Sequence, residues 1–302
     1  MAYIIETDNL AKEYKFRTAL RSVTMTLEAG HIYALVGVNG AGKTSLFRIL
    51  AGISRPTGGS FTLFGETTEQ GQDRARQKTG FMIDGPVFYA SMSARANLRN
   101  IQLIQGGTSK ARLTEVLTMV GLNPRSRQTM STYSLAMQQR YGLAAALIGD
   151  PELLILDEPL NGLDPLATQE MNGLLRSFRD QGKTILLSSQ TLTEPYQLAT
   201  DFLFIDQGKT IQQISHAELQ ERCDFRITVQ TDEPEMAANV LRKKLTDVDG
   251  LELSNGCLVL RHSTQSPGSV LRALEAEKMH ATVETSGIGL EDYFQQLLKS
   301  QQ

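Results

Sequence analysis

The sequence is poor in cysteine, with Cys223 and Cys257 as its only two. Two cysteines cannot supply a disulfide framework or a zinc site, so both are predicted to be free, inert thiols. No apolar run approaches the roughly 18 residues that a membrane-spanning helix needs. Residues 1–8 lack both a basic start and a long apolar segment, so we expect no signal peptide. These absences predict a cytosolic protein that meets a membrane only through a partner.

Basic blocks, internal repeats and coiled-coil heptads are also missing. The 302 residues carry a net charge of −3, and residues 223–302 contain eight Lys and Arg against twelve Asp and Glu. This charge balance argues against nucleic acid as a partner. The composition, 41% hydrophobic and 21% charged, is ordinary for a globular protein, and the length predicts about two domains.

One glycine-rich segment carries the clearest functional signal. Residues 37–44, GVNGAGKT, fit the Gly-x-x-x-x-Gly-Lys-Ser/Thr phosphate loop. A buried strand is predicted at residues 32–36 and a helix at residues 44–51, so backbone N–H groups and a helix dipole would face phosphate oxygens. Lys43 would reach the β- and γ-phosphates, and Thr44 would ligate Mg²⁺. The predicted nucleotide-binding residues of this loop are Gly37, Asn39, Gly40, Ala41, Gly42, Lys43, Thr44 and Ser45.

A second motif, LLILDEP at residues 153–159, is an apolar strand that ends in two carboxylates. In a parallel sheet, the end of such a strand emerges beside the phosphate loop. Asp157 there suits Mg²⁺, usually through water. Glu158 is then placed to polarise the water that attacks the γ-phosphate, as a general base. The alternative is a solvated acidic turn after a core strand.

Strand patterns that alternate with helical ones predict an α/β core with a largely parallel sheet, interrupted by a helical block at about residues 86–149. The predicted strands of this core lie at residues 4–6, 23–27, 32–36, 60–64, 80–83, 153–156, 184–187 and 202–205. A second small α/β unit is predicted beyond residue 220. Its predicted elements are a strand at 225–230, a helix at 234–245, a hairpin of 251–253 and 257–260 across a turn at 254–256, and helices at about 267–278 and 290–299.

Four further motifs make residues 1–220 resemble the ATP-binding cassette (ABC) ATPases. Residues 133–140, YSLAMQQR, lie where this family has its Leu-Ser-Gly-Gly-Gln signature. Residues 161–165, NGLDP, are similar to the D-loop and contain Asp164. Tyr14 stands where an aromatic residue stacks on adenine, and Gln190 follows the strand that delivers the family's switch histidine.

The resemblance implies a P-loop NTPase core with an antiparallel β subdomain and a helical subdomain, followed by a small α+β accessory domain at residues 221–302. It also implies ATP and Mg²⁺ as cofactors and a head-to-tail homodimer. Ser134 of one copy would contact the γ-phosphate held by the other, and Asp164 would lie at the same nucleotide. A separate membrane permease would dock near residues 86–105, which places the chain on the inner face of the cell membrane.

Three positions depart from the family pattern. Gln190 replaces the switch histidine; its amide can donate to a phosphate oxygen but cannot carry charge, which predicts slow hydrolysis. Ala136 replaces a signature glycine, either loosening the partner's grip or reflecting simple family drift. Asp84 replaces the glutamine of the Q-loop and, as a carboxylate, could sense Mg²⁺ or its water. The alternative for Asp84 is an ordinary turn residue.

An acidic residue at position 84 and the ending at residues 289–294 are similar to bacterial cassettes that expel lantibiotic- and bacitracin-type peptides. We therefore expect the ATP-hydrolysing subunit of an export system, with Glu158, Gln190 and Lys43 as its catalytic residues. One alternative is a signalling subunit that binds ATP but hydrolyses little. A weaker alternative is a soluble cassette that acts on ribosomes or DNA.

Overall fold

The computed structural model describes residues 3–223, 226–245, 248, 250–254, 257–261 and 265–300. The chain divides into two compact units after Ile214. In its described part, no helix is long and apolar enough to cross a bilayer.

A sheet of nine strands organises the first unit. Its strands are β1 (Ile5–Tyr14), β2 (Arg17–Leu27), β3 (Ile32–Val36), β4 (Gly58–Leu63), β5 (Thr79–Met82), β6 (Leu153–Leu156), β7 (Thr184–Ser189), β8 (Asp201–Asp206) and β9 (Lys209–Ser215). The sheet order is β4-β1-β2-β9-β8-β3-β7-β6-β5. Strands β8, β3, β7, β6 and β5 run parallel, whereas β1 pairs antiparallel with both β2 and β4. This is the predicted P-loop NTPase core with its antiparallel β subdomain.

Every residue of β3, β6 and β7 is buried. Continuous apolar runs of this kind suit parallel strands that are covered on both faces. The predicted β7 was too short, because Ser188 and Ser189 belong to the strand and do not follow it. The two short strands predicted near the start were also too short. They are parts of one long hairpin, β1–β2, in which residues 11–18 around the turn include no buried side chain and therefore give no strand pattern.

The helices of this region lie between the strands. They are α1 (Lys43–Leu50), α2 (Glu69–Arg76), α3 (Ala94–Ile104), α4 (Lys110–Met119), α5 (Leu135–Leu147), α6 (Pro165–Asp180) and α7 (Thr193–Tyr196). The predicted phosphate-loop helix is confirmed as α1, and Gly52 beyond it takes a left-handed φ of 76°. Helices α3, α4 and α5 confirm the predicted helical block.

The second unit has its own four-stranded antiparallel sheet. Its elements are α8 (His216–Arg222), β10 (Arg226–Thr231), α9 (Pro234–Lys244), β11 (Leu251–Ser254), β12 (Cys257–Arg261), α10 (Pro267–Glu275), β13 (Ala281–Ser286) and α11 (Leu290–Lys299). The sheet order β11-β12-β10-β13 and the βαββαβ sequence of elements form a split βαβ, or ferredoxin-like, arrangement.

Two sequence predictions for this unit need correction. Strand β13 was missed, because four of its six residues are exposed and give no buried pattern. The helix predicted at 267–278 ends at Glu275, and Lys278 takes a left-handed φ of 59°. The predicted strand start at Phe225 and turn residues 255–256 lie outside the described residues.

Both cysteines are free, as predicted. Cys223 is buried, and this burial raises the pKa of its thiol to about 11. A thiol with so high a pKa stays protonated at neutral pH and is a poor nucleophile.

Candidate active site

The carboxyl ends of three adjacent parallel strands assemble the site. Strand β7 lies between β3 and β6 in the sheet. The phosphate loop follows β3, Asp157 and Glu158 follow β6, and Gln190 follows β7. Ligands of open α/β sheets bind at this edge, outside the carboxyl ends of the strands.

The phosphate loop is shaped by glycines that no other residue could replace without strain. Gly42 caps the amino end of α1 with φ 115°. A Cβ on Gly42 would lie 2.6 Å from Leu20 Cδ2, and one on Gly37 would lie 2.4 Å from the Ile205 carbonyl oxygen. The loop borders an open cleft of about 250 Å³. The residues that line this cleft are Arg17, Asn39, Gly40, Ala41, Gly42, Lys43, Thr44, Ser45, Arg48 and Glu158.

The Lys43 ammonium is buried in this loop, with only 5% of the residue exposed. Its Nζ donates to the Gly37 carbonyl oxygen at 2.6 Å and lies 3.6 Å from Glu158 Oε1. Burial lowers the pKa of Lys43, although the charges of Glu158 and Asp157 act in the opposite direction. A cation held this way is oriented before a phosphate arrives.

Two hydrogen bonds to Asp157 connect the phosphate-loop helix α1 to the end of strand β7. Thr44 Oγ1 donates to Asp157 Oδ2 at 2.8 Å, and Ser188 Oγ donates to Asp157 Oδ1 at 2.6 Å. A hydroxyl and a carboxylate in contact are the hard oxygen donors that Mg²⁺ prefers. Together with the glycine loop, these residues fit an Mg²⁺-bound nucleotide.

Glu158 takes an unusual backbone conformation, with φ 48°. Its Oε2 accepts hydrogen bonds from Gln190 Nε2 at 2.6 Å and from Asn161 Nδ2 at 2.9 Å. The Glu158 backbone N–H donates to Ser188 Oγ at 2.8 Å. The predicted base and the predicted sensor are therefore in direct contact.

Two predicted nucleotide ligands cap helices outside this cleft. Ser134 Oγ accepts from the Met137 N–H at the start of α5, and Asp164 Oδ1 accepts from the Ala167 N–H at the start of α6. Both Ser134 and Asp164 are exposed. In the part of the chain that the structure describes, neither side chain lines the cleft. A contact of Ser134 or Asp164 with nucleotide therefore stays a prediction.

Tyr14 and Asp84 lie at the margins of the cleft. Tyr14 ends strand β1 and is 42% exposed, with Lys12 Nζ 5.0 Å from its ring centroid. Asp84 has a left-handed φ of 59°, and its Oδ2 accepts from Arg48 Nη2 at 2.7 Å. The structure therefore brings Asp84 to Arg48.

Several neighbours of the cleft carried no signal in the sequence. Arg17 Nη2 donates to the Gly40 carbonyl oxygen at 3.0 Å from the β1–β2 hairpin. Ser188, Asn161 and Arg48 each hold an acidic residue of the site. Asn161 belongs to the motif at residues 161–165, whereas Arg17, Arg48 and Ser188 belong to no motif with a fixed spacing, so only the fold reveals these three.

Comparisons with known proteins identify the family of this chain. A family model described as ABC transporter matches residues 20–161. A bacitracin transport ATP-binding protein, BcrA of Enterococcus faecalis, is 34% identical over 300 residues, which cover 99% of this chain and 97% of that protein. The chain belongs to the ABC transporter ATP-binding proteins. Family membership makes it an ATPase that binds nucleotide.

Two further relatives extend the comparison. A lantibiotic transport ATP-binding protein, SrtF of Streptococcus pyogenes, is 39% identical over 208 residues, covering 69% of this chain and 89% of that protein. A solved ATP-binding subunit of an ABC transporter superposes with a TM-score of 0.63 at 26% identity, covering 72% of this chain and 92% of that structure. The match to BcrA, unlike these two, extends over nearly the whole chain, so it includes the accessory unit.

Proposed function

We propose that this ATPase energises the export of an antimicrobial peptide through separate membrane permease subunits. The observation that carries the proposal is the near full-length match to a bacitracin transport ATP-binding protein. The match to a lantibiotic transport protein supports the same class of cargo. In this proposal the ATPase supplies energy from ATP hydrolysis, and the permease forms the route of the peptide across the membrane.

The contacts of the site support a division of labour in hydrolysis. When bound, ATP would supply the phosphoryl group, and Mg²⁺ would neutralise negative charge on its phosphate oxygens. Lys43 would hold the β- and γ-phosphate oxygens, and Thr44 directly and Asp157 through water would hold the Mg²⁺ ion. Glu158 takes the proton of the attacking water, and Gln190 orients both the Glu158 carboxylate and the γ-phosphate.

The active unit is proposed to be a head-to-tail homodimer with two nucleotides in its interface. Ser134 and Asp164 support this, because both are exposed and lie outside the cleft of their own chain. In the dimer, Ser134 of the second copy covers the γ-phosphate. Such an interface is isologous and closes as a C₂ pair.

The docking surface for the permease is proposed at residues 86–105. This stretch exposes four large apolar side chains, Val87, Tyr89, Leu103 and Ile104, by 50% to 86%. Ile104 also borders a cavity of about 890 Å³ between α3 and strand β5. Large apolar side chains left exposed within one stretch of chain support an interaction site there. Bound there, the chain is peripheral on the inner face of the membrane.

The dimer is tested with Glu158→Gln, which keeps the shape of the site but removes the base. We expect the purified variant to dimerise in saturating MgATP, as measured by light scattering after size exclusion, and to retain two nucleotides per dimer. A variant that stays monomeric without bound nucleotide would refute the dimer.

A signalling subunit with little hydrolysis is the second candidate, favoured by the neutral Gln190 beside Glu158. Single-turnover hydrolysis, measured with and without the co-purified permease, separates the two. Export predicts that the permease accelerates turnover, whereas a signalling role predicts slow turnover in both samples.

A further inference from the structure

The helical block at residues 86–149 differs in charge from the rest of the chain. It contains seven Arg and Lys and one Glu, whereas the whole chain has an excess of acidic residues, 33 against 30. The one glutamate of the block, Glu115, already pairs with Arg112 at 3.1 Å. The block therefore carries an excess of positive charge, and such local asymmetry favours an anionic partner.

Three arginines of this block line one open pocket of about 440 Å³. The polar residues that line it are Ser93, Arg95, Thr114, Arg125, Ser126 and Arg127. None of these residues lines the nucleotide cleft, and in the described part of the chain no carboxylate lines the pocket. Guanidinium groups and hydroxyls are the hydrogen-bond donors that an anion needs.

Arg95 is the best-oriented of the three arginines. Its Nη1 donates to Thr114 Oγ1 at 2.9 Å, and its Nη2 donates to the Lys110 carbonyl oxygen at 3.2 Å. Both acceptors are neutral, so these bonds orient the guanidinium without neutralising its charge. A guanidinium has five N–H donors, and two bonds leave further N–H groups for a ligand.

Hydrogen bonds join the two segments that form the pocket. One segment contains Ser93 at the start of α3, and the other is the loop at residues 124–127. Ser93 forms a β-bridge with Thr129, which follows this loop. The Met130 N–H donates to the Met92 carbonyl oxygen at 2.9 Å. The fold therefore holds the two sides of the pocket next to each other.

Arg125 and Arg127 bring two further positive charges to the pocket. Both are exposed, and within residues 3–223 neither pairs with a carboxylate. Like charges two positions apart repel each other, so an anion between them lowers the electrostatic energy. Arginine matches the oxygens of phosphate and of carboxylate. A phosphate group offers more acceptor oxygens and can also accept from the hydroxyls of Ser93 and Ser126.

We propose that this arginine pocket binds a phosphate group, carried either by a soluble phosphate compound or by the head group of an anionic lipid. The three guanidinium groups supply the charge that such a ligand neutralises, and the hydroxyls supply additional donors. The site is separate from the nucleotide cleft, so it can be occupied together with nucleotide.

The test is titration calorimetry of the full-length chain with inorganic pyrophosphate. Because the nucleotide cleft also takes phosphates, every protein in the titrations carries Lys43→Met, which removes the lysine of that cleft. We expect R125Q/R127Q to raise the Kd about tenfold or more, because the pair supplies charge-assisted hydrogen bonds. Both side chains are exposed, so the double substitution should leave the fold intact.

The matched control is R21Q/R99Q, which removes two exposed arginines outside the pocket. Its Kd should lie within about twofold of the parent, since exposed charges at a distance act weakly. R95K keeps the charge of Arg95 but loses the planar fork. It should therefore weaken binding less than R95Q does, which separates loss of charge from loss of geometry.

Flotation with lipid vesicles distinguishes the two sources of the phosphate group. The vesicles contain phosphatidylcholine alone or phosphatidylcholine with phosphatidylglycerol. A lipid ligand predicts that the parent floats only with the anionic vesicles and that R125Q/R127Q does not float. A soluble ligand predicts pyrophosphate binding without flotation.

Two results would overturn the proposal. If the parent binds neither pyrophosphate nor anionic vesicles, the three arginines form a solvated surface and no site. If R21Q/R99Q weakens binding as much as R125Q/R127Q, the attraction comes from overall charge and not from the pocket. None of these measurements uses ATP hydrolysis or the permease, so either result leaves the export function to its own test.

Discussion

The side-chain amide of Gln190 donates from Nε2 to Oε2 of Glu158 at 2.6 Å. This contact connects the end of strand β7 to Glu158, the proposed general base, which follows β6. Asn161 donates to the same oxygen at 2.9 Å. An amide can orient a carboxylate but cannot gain or lose a proton near neutral pH. Gln190 therefore fixes geometry and contributes no titratable group to the reaction.

Gln190→His should raise kcat about 2- to 10-fold, because a protonated imidazole makes a stronger, charge-assisted hydrogen bond to phosphate. It should also give kcat a pH dependence near the histidine pKa of about 6.5, which the Gln190 enzyme lacks. Phosphate release measured from pH 6 to 8 checks both effects. In the control, Gln190→Ala, kcat should fall about tenfold, because the substitution removes the hydrogen bond to Glu158. Unchanged turnover in Gln190→His would remove the idea that Gln190 slows hydrolysis.

Ser188→Ala should destabilise the protein by about 1–3 kcal/mol, since it leaves buried polar groups without a partner. Ser188 is 1% exposed and links Asp157 Oδ1 to the Glu158 N–H. Urea unfolding gives the free energy of unfolding. The control is Ser131→Ala at an exposed position, which should stay within about 0.5 kcal/mol of wild type. Equal effects of the two substitutions would mean that the Ser188 contacts add no stability.

Most of the sequence predictions about the site came from short, contiguous motifs. Residues 37–44 and Asp157-Glu158 are each defined within a few positions, because a local loop or strand end determines where their groups point. The buried strand β6 was equally clear, since a parallel strand covered on both faces must be apolar throughout.

Contacts between distant residues could not be predicted in this way. Ser188 meets Asp157, 31 positions away, and Arg48 meets Asp84, 36 positions away. These pairs depend on which strands are neighbours in the sheet, and no local pattern records that order. Strand β13 was missed for a related reason, because a polar edge strand is stabilised by pairing with β10 and not by burial.

Gly42→Ala should destabilise the protein more than Gly30→Ala, and the comparison separates two causes. Both glycines have positive φ, 115° and 81°, so both substitutions carry a dihedral cost of about 1–2 kcal/mol. Only at Gly42 would the new Cβ meet other atoms, Leu20 Cδ2 at 2.6 Å and the Ala19 carbonyl oxygen at 2.8 Å. We expect a further loss of about 1–3 kcal/mol in urea unfolding. Equal losses would show that the loop relaxes without strain.

Lys43→Met should abolish ATP binding and also change how stability depends on pH. Because burial lowers the pKa of Lys43 in the folded chain, the unfolded chain holds more protons between that lowered pKa and about 10.4. Wild-type stability therefore gains from rising pH in this window, and Lys43→Met, which has no amine to titrate, does not. Urea unfolding of both proteins at pH 8, 9 and 10 gives the difference in the free energy of unfolding, in which shared tyrosine and cysteine titrations cancel. We expect the free energy of unfolding of wild type to increase relative to that of Lys43→Met as pH rises. A flat or opposite trend would mean that burial does not lower the pKa of Lys43.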